Sequence, residues 1–297
     1  MAEKENGKGI ILVTGAAGFI GQALCRRLAA EGRAVCALVR RGGRQLPGEI
    51  AAQMAGVAAV DDLAGPCPWT EIMAGVESVV HLAGRAHARG RDQFFCDNLD
   101  ATVALARAAR AAGVRHFVFL STIKVNGEGV VAPFQARPYT ASDRPRPTGP
   151  YAVSKWRAEQ ELAKLFPTMG KAALTIIRPP LVYGDGAAGN LAGLKRWLEW
   201  GLPLPVPRES NRRSLVSRER LIAIIVDCLD LYPVSKLLLP ADPVDRSTAE
   251  LAHLLVPDRP VHLLPVPGLL LLIAGRAVSH PEIYQKLYGS LQIAVKP

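Results

Sequence analysis

The sequence predicts an α/β fold, namely a Rossmann-like, doubly wound parallel sheet with a smaller C-terminal lobe. Three observations predict this fold class. A short apolar segment near the N-terminus is followed by a glycine-rich turn and a helical pattern. Apolar strand patterns then alternate with helical patterns as far as Pro179, and shorter, irregular pieces follow it. The predicted division is a larger domain over residues 9–179 and a smaller lobe over residues 180–297.

The first two elements are a strand at Ile10–Val13 and a helix at Gln22–Glu31, joined by a turn with a glycine at every third position. Gly15 permits the tight turn, Gly18 lets the backbone approach a phosphate, and Gly21 lets the helix pack against the strand. The N-terminus of the helix then offers N–H groups to an anion. The pattern therefore predicts a binding site for the pyrophosphate of a dinucleotide.

The remaining elements of the larger domain alternate in the way that a doubly wound sheet requires. Strands are predicted at Ala34–Val39, Val57–Val60, Ser78–Leu82, His116–Ser121 and Leu174–Arg178, and helices at Asp92–Ala112 and Gly149–Phe166. The stretch from Val130 to Pro150 is rich in proline and polar residues, and we expect it to form a loop over the site.

The smaller lobe shows weaker patterns. Helices are predicted at Leu191–Trp200, Arg218–Leu231 and Ser247–Val256, and a strand at Leu237–Leu239. Ser247 and Glu250 have the spacing of a helix capping box. The apolar run Leu263–Ala274 predicts a buried helix, with a membrane-surface helix as the alternative. It is shorter than the about 18–20 apolar residues of a membrane span, so no span is predicted.

A tyrosine and a lysine four residues apart, Tyr151 and Lys155, lie on one face of a predicted helix. A lysine ammonium beside a phenol favours the phenolate, so the phenol can exchange a proton near neutral pH. Such a pair suits the interconversion of carbonyls and alcohols. A serine and threonine pair upstream, Ser121-Thr122, strengthens the interpretation of this otherwise common spacing.

Composition limits the class of ligand. The net charge of +10 favours anionic ligands. The arginines are scattered and no basic block is interleaved with aromatic residues, so nucleic-acid binding is not expected. The five cysteines have no paired spacing, and zinc-binding and P-loop motifs are missing, so no metal is predicted. The odd cysteine count and the polar first nine residues predict a reduced, cytoplasmic protein with a short disordered lead.

Together these motifs resemble the extended short-chain dehydrogenase/reductase family, of the NAD-dependent epimerase/dehydratase type, over nearly the whole chain. Besides the glycine turn and the Tyr151/Lys155 pair, the resemblance rests on Asp62-Leu63, Val80 to Gly84, Asn98, Ser121-Thr122 and Arg178 to Gly184. The stretch from Ser121 to Glu128 resembles a subgroup that contains UDP-glucose 4-epimerases and 4-reductases of UDP-4-keto-6-deoxy-N-acetylhexosamines.

The resemblance implies residue roles. Tyr151 is the expected acid/base, Lys155 lowers its pKa and holds the nicotinamide ribose, and the Thr122 hydroxyl binds the sugar oxygen at C4. Asn98 is expected to act through its helix backbone. The implied cofactor-binding residues are Gly15, Gly18, Phe19, Ile20, Arg40, Asp62, Leu63, Leu82, Ala83, Gly84, Asn98, Ser121, Tyr151 and Lys155. The implied substrate-binding residues are Arg85, Thr122, Asn190 and Arg213. For Arg85 and Arg213 an ordinary solvated surface position is the alternative.

The cofactor prediction depends on Arg40, at the end of the second strand and 19 residues after Gly21. NAD-specific folds usually place a carboxylate there, whereas an arginine accommodates the 2′-phosphate of NADP. Arg40 and Arg41 therefore favour NADP(H), with NAD(H) left open. This choice favours reduction of a UDP-4-keto-6-deoxy-N-acetylhexosamine over epimerisation with tightly bound NAD.

Several alternatives stay open from the sequence. A non-catalytic NADP(H) sensor and a reductase of non-sugar carbonyls use the same fold. The resemblance implies a UDP-sugar as the partner molecule and leaves a homodimer open, with the helices Asp92–Ala112 and Gly149–Phe166 at its interface. Family members generally continue beyond the stretch Tyr288–Ile293, whereas this sequence ends at Pro297. We therefore expect a shortened C-terminus that lacks some substrate contacts.

Overall fold

The structure is a computed structural model that describes residues 9–88, 90–129, 137–168, 170–187, 189–207, 211–230, 234–267 and 289–294. In chain order its elements are β1 (Ile10–Thr14), α1 (Phe19–Ala30), β2 (Val35–Arg40), α2 (Gly48–Ala51), β3 (Gly56–Val60), α3 (Trp69–Ile72), β4 (Val76–His81), α4 (Arg91–Phe95), a π-helical turn (Cys96–Asp100), α5 (Ala101–Ala111), β5 (His116–Leu120), a 3-10 turn (Ile123–Val125), α6 (Gly149–Leu165), β6 (Ala173–Ile177), β7 (Leu181–Tyr183), α7 (Asn190–Glu199), β8 (Leu204–Pro207), β9 (Leu215–Ser217), α8 (Arg218–Asp230), β10 (Lys236–Leu238), α9 (Thr248–Leu255) and β11 (Leu263–Val266).

Seven parallel strands form the main sheet in the order β10-β6-β5-β4-β1-β2-β3. The predicted doubly wound parallel sheet is therefore confirmed. The strand order reverses between β1 and β4, because the chain first winds outward through β2 and β3 and then returns to the other side of β1. In such sheets ligands bind at the carboxyl ends of the strands that flank the reversal. The ends of β1 and β4 are therefore the place to look for a site.

The strands of this sheet are apolar because helices cover both faces. Leu12 and Val13 are neighbours in β1 and point to opposite faces, yet both are fully buried. Phe117 of β5 belongs to the main core cluster together with Leu105 of α5 and Leu162 of α6. This packing fixes α5 and α6 against the sheet, and α6 carries the Tyr151/Lys155 pair.

The helix predicted at Asp92–Ala112 is interrupted. It consists of α4 and α5, joined by the π-helical turn Cys96–Asp100. Turns of this kind are rare and often mark functional sites. The interruption was not predictable from the apolar spacing, because one extra residue in a turn leaves most of the periodicity intact.

The chain divides into two compact units. The first contains residues 1–125, 147–178 and 219–238, and the second contains residues 126–146, 179–218 and 239–297. The chain thus leaves the first unit after Arg178, close to the predicted boundary, but it returns for twenty residues. The helix and the strand predicted at Arg218–Leu231 and Leu237–Leu239 were assigned to the smaller lobe. They instead belong largely to the first unit, where β10 pairs with β6.

The second unit contains two small parallel sheets, β7 with β9 and β8 with β11, and the helices α7 and α9. The Ser247 side chain accepts a hydrogen bond from the Glu250 backbone and Glu250 accepts one from the Ser247 backbone, so the predicted capping box is confirmed. Residues 289–294 belong to this unit and are partly held by Ser214, whose backbone N–H donates to the Leu291 carbonyl at 2.8 Å.

The helix predicted at Leu263–Ala274 is wrong at its start, because Leu263–Val266 is the strand β11. Residues 268–274 of this predicted helix lie outside the described residues, and so do residues 1–8 of the predicted lead and residues 130–136 of the predicted loop. Among the helices of the described ranges, none combines the length and the apolar character needed to cross a bilayer.

Candidate active site

The glycine turn after β1 packs directly against the loop after β4. Gly15 has a φ of 67°, and a Cβ placed on it would lie 2.8 Å from the Ala83 backbone nitrogen. Gly18 precedes α1 with extended backbone, and no side chain of the described residues caps this helix. The first turn of α1 follows Gly18 directly, at the place where the sequence predicts a pyrophosphate. The turn fits the dinucleotide that its spacing predicts.

Gly21 is the position in this turn that tolerates a side chain least. A Cβ there would lie 2.2 Å from the Gly15 carbonyl oxygen and 2.8 Å from the Ala16 Cα, both of which are backbone atoms. We expect Gly21→Ala to displace α1, to lower the free energy of unfolding by about 1–3 kcal/mol and to weaken dinucleotide binding at least about tenfold, since the helix N-terminus moves. Urea unfolding and a dinucleotide titration measure both effects.

Gly193 in α7 provides the matched control, since a Cβ at this position would have no neighbour within 4 Å. Gly193→Ala should be neutral or stabilise by up to about 1 kcal/mol, because alanine is the better helix former. If Gly21→Ala and Gly193→Ala lost equal amounts of stability and of dinucleotide affinity, the close contact of Gly21 with the turn would not be the cause of the loss.

His81, at the end of β4, ties the ends of two strands to α5. Its Nδ1 atom lies 2.6 Å from Thr14 Oγ1, and its Nε2 atom lies 2.9 Å from Thr102 Oγ1. Thr102 donates its own proton to the Asn98 carbonyl, so Nε2 is the donor and Nδ1 accepts from Thr14. Burial lowers the pKa of His81 to about 3, which keeps the ring neutral. Sequence analysis missed this network because its members lie far apart in the chain.

The side chain of Asn98, in the π-helical turn, holds the loop after β4. Its Oδ1 atom accepts from the Arg85 backbone N–H at 2.7 Å, and its Nδ2 atom donates to the Arg85 carbonyl at 3.0 Å. Nδ2 also lies 3.0 Å from Ser154 Oγ, which donates to the Tyr151 carbonyl at 2.8 Å. Asn98 thus joins the loop to the first turn of α6. It does so through its side chain, and not through the backbone alone as the sequence suggested.

Lys155 is buried, with 3% of its surface exposed. Its Nζ atom lies 4.0 Å from the centroid of the Phe119 ring, and 3.6 Å from the place where a Cβ on Gly84 would be. Tyr151 lies one helical turn earlier, half-buried, with its ring 6.2 Å from that of Phe94. The structure therefore brings the predicted lysine together with Gly84 of the predicted cofactor-binding loop.

Ser121 and Thr122 follow β5, and both are buried. Thr122 Oγ1 accepts a hydrogen bond from the Lys124 backbone N–H at 3.3 Å. Ser121 Oγ donates to the carboxylate of Glu159 in α6. This contact holds the end of β5 against α6.

Glu159 forms a buried ion pair that the sequence analysis missed. Its carboxylate receives Arg178 Nη2 at 2.5 Å and Arg178 Nε at 3.0 Å, and the two side chains are only 2% and 3% exposed. Glu159 lies one turn after Lys155, on the same face of α6. The spacing of four residues between Lys155 and Glu159 was the only feature of the sequence that could have indicated their proximity. The pair joins α6 to the ends of β5 and β6, and so positions the lysine.

The charge state of Lys155 predicts a dependence of stability on pH. Burial lowers its pKa to about 7 from an ordinary 10.5, although the Glu159 carboxylate acts in the opposite direction. Between these two values the unfolded chain binds more protons than the folded chain, so the free energy of unfolding rises with pH across this window. Below pH 7 both states are protonated, and the full cost of burying the charge is present.

We therefore expect Lys155→Met to be stabilised relative to the wild type at pH 6, by an amount that shrinks as the pH rises towards 10. Urea unfolding at a series of pH values, without added cofactor, measures the difference. Lys164→Met is the control, since Lys164 lies on the same helix with 70% of its side chain exposed. A difference between Lys155→Met and wild type that does not change with pH would contradict the assigned pKa.

Arg40, the residue that favoured NADP(H), is paired with carboxylates. Its Nη2 atom lies 3.2 Å from Asp97 Oδ1 and 3.8 Å from Asp62 Oδ1. Arg41 donates to Asp61 Oδ2 at 3.3 Å. The sequence pattern could not show these pairs, because Asp97 is 57 residues away from Arg40.

Within the described residues one cluster has the spacing of metal ligands. The carboxylates of Asp62 and Asp97 and the thiol of Cys96 lie within 4.8 Å of one another. Both carboxylates face the Arg40 guanidinium, which already supplies a positive charge to the cluster.

The remaining predicted site residues occupy different places. Phe19 and Ile20 form the first turn of α1, and Leu63 packs against the main core. Asn190 begins α7 in the second unit and is exposed. Arg213, also in the second unit, donates from Nη1 to the Gly289 carbonyl at 3.0 Å, and burial lowers its pKa to about 10.

Comparison with known proteins gives concordant results. The model of the NAD dependent epimerase/dehydratase family matches residues 11–200. A UDP-glucose 4-epimerase of Vibrio cholerae is 33% identical over 296 residues, which are 96% of this chain and 87% of that protein. A ceramide reductase of Caulobacter vibrioides (strain NA1000 / CB15N) is 31% identical over 224 residues, which are 74% of this chain and 60% of that protein.

Among solved structures, MoeE5 in complex with UDP-glucose and NAD is similar with a TM-score of 0.70 and 25% identity, covering 87% of this chain and 86% of that one. The family model covers more than half of the sequence, and the Vibrio cholerae protein is similar almost from end to end. The resemblance drawn from the motifs is thereby confirmed, and the chain belongs to the NAD dependent epimerase/dehydratase family.

Proposed function

We propose that the chain catalyses hydride exchange at the C4 carbon of a UDP-linked sugar, and that the sugar leaves as its C4 epimer. The observation that carries the proposal is the buried lysine one turn after Tyr151, next to Gly84 in the loop after β4. The name of the Vibrio cholerae relative supports the substrate and the reaction. The nicotinamide, when bound, supplies acceptance and return of the hydride.

Tyr151 is the proposed acid/base. As the C4–H bond breaks with its electron pair, the proton of the C4 hydroxyl passes to the Tyr151 oxygen, and a carbonyl forms at C4. In the return step the hydride attacks the opposite face of C4, and Tyr151 gives the proton back to the oxygen. Thr122 is proposed to hold this oxygen through its hydroxyl. The exchange is balanced, with no net oxidant consumed.

Lys155 serves this proton transfer in its charged form, because an ammonium favours the phenolate. Asn98 holds the backbone of Arg85, the residue after Gly84. It also donates to Ser154, which in turn holds the Tyr151 backbone carbonyl. Glu159 opposes the loss of charge from Lys155. Asn98 and Glu159 thus orient Tyr151 and Lys155. Fast proton transfer requires acid and base groups that are held in place in this way.

The UDP moiety is assigned to residues of the second unit. Arg213 is proposed to bind the diphosphate, which a guanidinium recognises through paired hydrogen bonds. Asn190, at the exposed start of α7, is proposed as a further contact. Arg85 is proposed at the substrate side of the loop after β4.

Reduction of a UDP-4-keto-6-deoxy-N-acetylhexosamine is the second candidate. Arg40 and Arg41 favour it, because they predict NADP(H), and a reductase would consume NAD(P)H once per turnover. The carboxylate partners of Arg40 weaken this argument, since they offset the charge that a 2′-phosphate would meet. NADP(H) preference therefore stays a prediction, whereas a nicotinamide dinucleotide as such is supported by the family.

A cytoplasmic location and a homodimer belong to the same proposal. All five cysteines are free thiols in the structure, which supports a reducing compartment. Sedimentation of the purified chain would show whether it pairs, with the mass of a monomer contradicting the dimer.

The experiment follows sugar and cofactor together. Purified protein is mixed with UDP-glucose or UDP-N-acetylglucosamine, and the sugar is analysed while absorbance at the nicotinamide band is recorded. We expect the C4 epimer to form without net loss of reduced cofactor. Consumption of NADPH with the 4-keto sugar, and no epimer, would favour the reductase. Neither reaction, together with no thermal stabilisation by UDP, would overturn the nucleotide-sugar assignment.

A further inference from the structure

Asp97 holds two arginines at the edge of the proposed cofactor site. Its Oδ1 atom lies 3.2 Å from Arg40 Nη2, and its Oδ2 atom accepts from Arg85 Nε. We propose that Asp97 is the residue that sets the choice between NAD(H) and NADP(H), by holding and neutralising Arg40. This inference rests on the proposed function, since it assumes that a nicotinamide dinucleotide binds here.

Arg40 is the residue in the chain best placed to read a 2′-phosphate. It ends β2, at the carboxyl edge of the sheet beside the glycine turn, and this position contacts the adenosine ribose in folds of this kind. A guanidinium without a carboxylate partner there would pair with the phosphate through two hydrogen bonds. In this structure the partner of Arg40 is a carboxylate of the protein itself.

The Asp97 carboxylate is held more firmly than the other carboxylate near Arg40. Its side chain is only 11% exposed, whereas that of Asp62 is 44% exposed. Both of its oxygens have arginine partners. The next residue, Asn98, is fully buried and is hydrogen-bonded to both backbone groups of Arg85. Asp97 therefore stays beside Arg40 when a ligand approaches.

The chemical consequence differs for the two cofactors. A 2′-phosphate carries about −1.5 to −2 charges near neutral pH, and it would meet the charge of Asp97 as well as that of Arg40. The repulsion by Asp97 offsets the attraction by Arg40, so the pair as a whole contributes little to NADP(H) binding. The ribose hydroxyls of NAD(H) carry no charge and can donate to the carboxylates of Asp97 and Asp62. NAD(H) is thus accepted despite an arginine at the end of β2.

Arg41 does not replace Arg40 in this role. It is 66% exposed and pairs with Asp61, and its Nη2 atom donates to the Ala59 carbonyl at 3.3 Å. Both arginines on which the sequence argument for NADP(H) depends therefore have acceptors within the protein. Asp62 lies farther from Arg40 than Asp97 does and is more exposed, so removal of the Asp97 charge is the change that we expect to make Arg40 most available.

The test measures binding and does not depend on activity. NADH and NADPH are titrated into the purified full chain, with the fluorescence of the reduced nicotinamide as the signal. We expect the ratio of the NADPH to the NADH affinity to rise about tenfold or more in Asp97→Asn, a change of about 1.4 kcal/mol. Asp100→Asn is the matched control, because Asp100 lies in the same turn and is exposed. Its ratio should stay within about twofold of the wild type, since exposed charges are screened.

A double-mutant cycle with Arg40→Ala isolates the interaction. In the wild-type background Arg40→Ala should not raise the ratio of the NADPH to the NADH affinity, because it leaves the Asp97 carboxylate to face the 2′-phosphate. In the Asp97→Asn background Arg40→Ala should remove the whole rise in the ratio of the NADPH to the NADH affinity. An unchanged ratio in Asp97→Asn overturns the inference. So does a wild type that binds NADPH at least about tenfold more tightly than NADH, a result that needs no Asp97 variant to fold.

The cofactor site and the role of Asp97 are tested by different results of these titrations. Binding of NADH or NADPH to the wild type with no effect of Asp97→Asn leaves the proposed function in place and removes only the role of Asp97. Binding of neither dinucleotide to the wild type or to any variant removes the cofactor site, and this inference with it.

Discussion

Replacement of Tyr151 by phenylalanine is expected to lower turnover by about 10²–10⁴-fold, the usual contribution of one acid/base group. The change removes only the phenolic oxygen. The ring keeps its packing against Phe94, and the Tyr151 carbonyl keeps the hydrogen bond from Ser154. Stability and dinucleotide affinity should therefore change little, while the rate constant falls. Steady-state kinetics with the UDP-sugar and urea unfolding of the same preparation measure the two properties.

Tyr183→Phe is the control for Tyr151→Phe. Tyr183 lies in the second unit, where its hydroxyl donates to Asp242 Oδ2 at 2.7 Å. The Tyr183→Phe variant loses a phenolic hydroxyl, as Tyr151→Phe does, and we expect its turnover to stay within a few-fold of the wild type. Full activity of Tyr151→Phe would contradict its role as the acid/base. Equal losses in both variants would show that the effect is not specific to Tyr151.

The second large effect is expected at Glu159. Glu159→Gln removes the charge that faces Arg178, and both side chains are almost completely buried. An unpaired buried charge is costly, and we expect the free energy of unfolding to fall by about 3–5 kcal/mol. Ser121 Oγ also loses its charged acceptor, so the residue next to Thr122 is less well held. Urea unfolding at pH 7 measures the loss.

Glu161→Gln is the matched control on the same helix. Glu161 pairs with Lys164 at 2.6 Å, but both side chains are exposed, so its loss should cost less than about 1 kcal/mol. Arg178→Met together with Glu159→Leu should recover much of the stability, because apolar replacement of a whole buried pair is often tolerated. Similar unfolding curves for Glu159→Gln and Glu161→Gln would contradict the assigned role of the buried pair.

The parts of the fold that short-range patterns encode were predictable. The glycine spacing after β1 and the Tyr151/Lys155 spacing are local, and the alternation of strands and helices follows from apolar periodicity. The return of the chain into the first unit was not predictable in this way. Leu237–Leu239 is a short apolar triplet that any small sheet could use, and only its pairing with Ala173–Ile177 assigns it to the main sheet.

The candidate site shows the same limit. The residues proposed to be catalytic have a recognisable spacing, but the residues that hold them come from distant parts of the chain. Thr14 and His81 are 67 residues apart, and no pattern within one element marks them as partners. Asp97 is the most consequential omission. The sequence showed an arginine where NADP is recognised, and the carboxylate that neutralises it became visible only when the chain was folded.

The most direct test of the central claim uses UDP-glucose and UDP-N-acetylglucosamine that carry deuterium at C4. We predict that the purified protein converts at least one of them into its C4 epimer with the deuterium retained at C4. Tyr151→Phe should give almost no epimer. An epimer that has lost its deuterium to water, or a rate that does not depend on Tyr151, would contradict hydride exchange at C4.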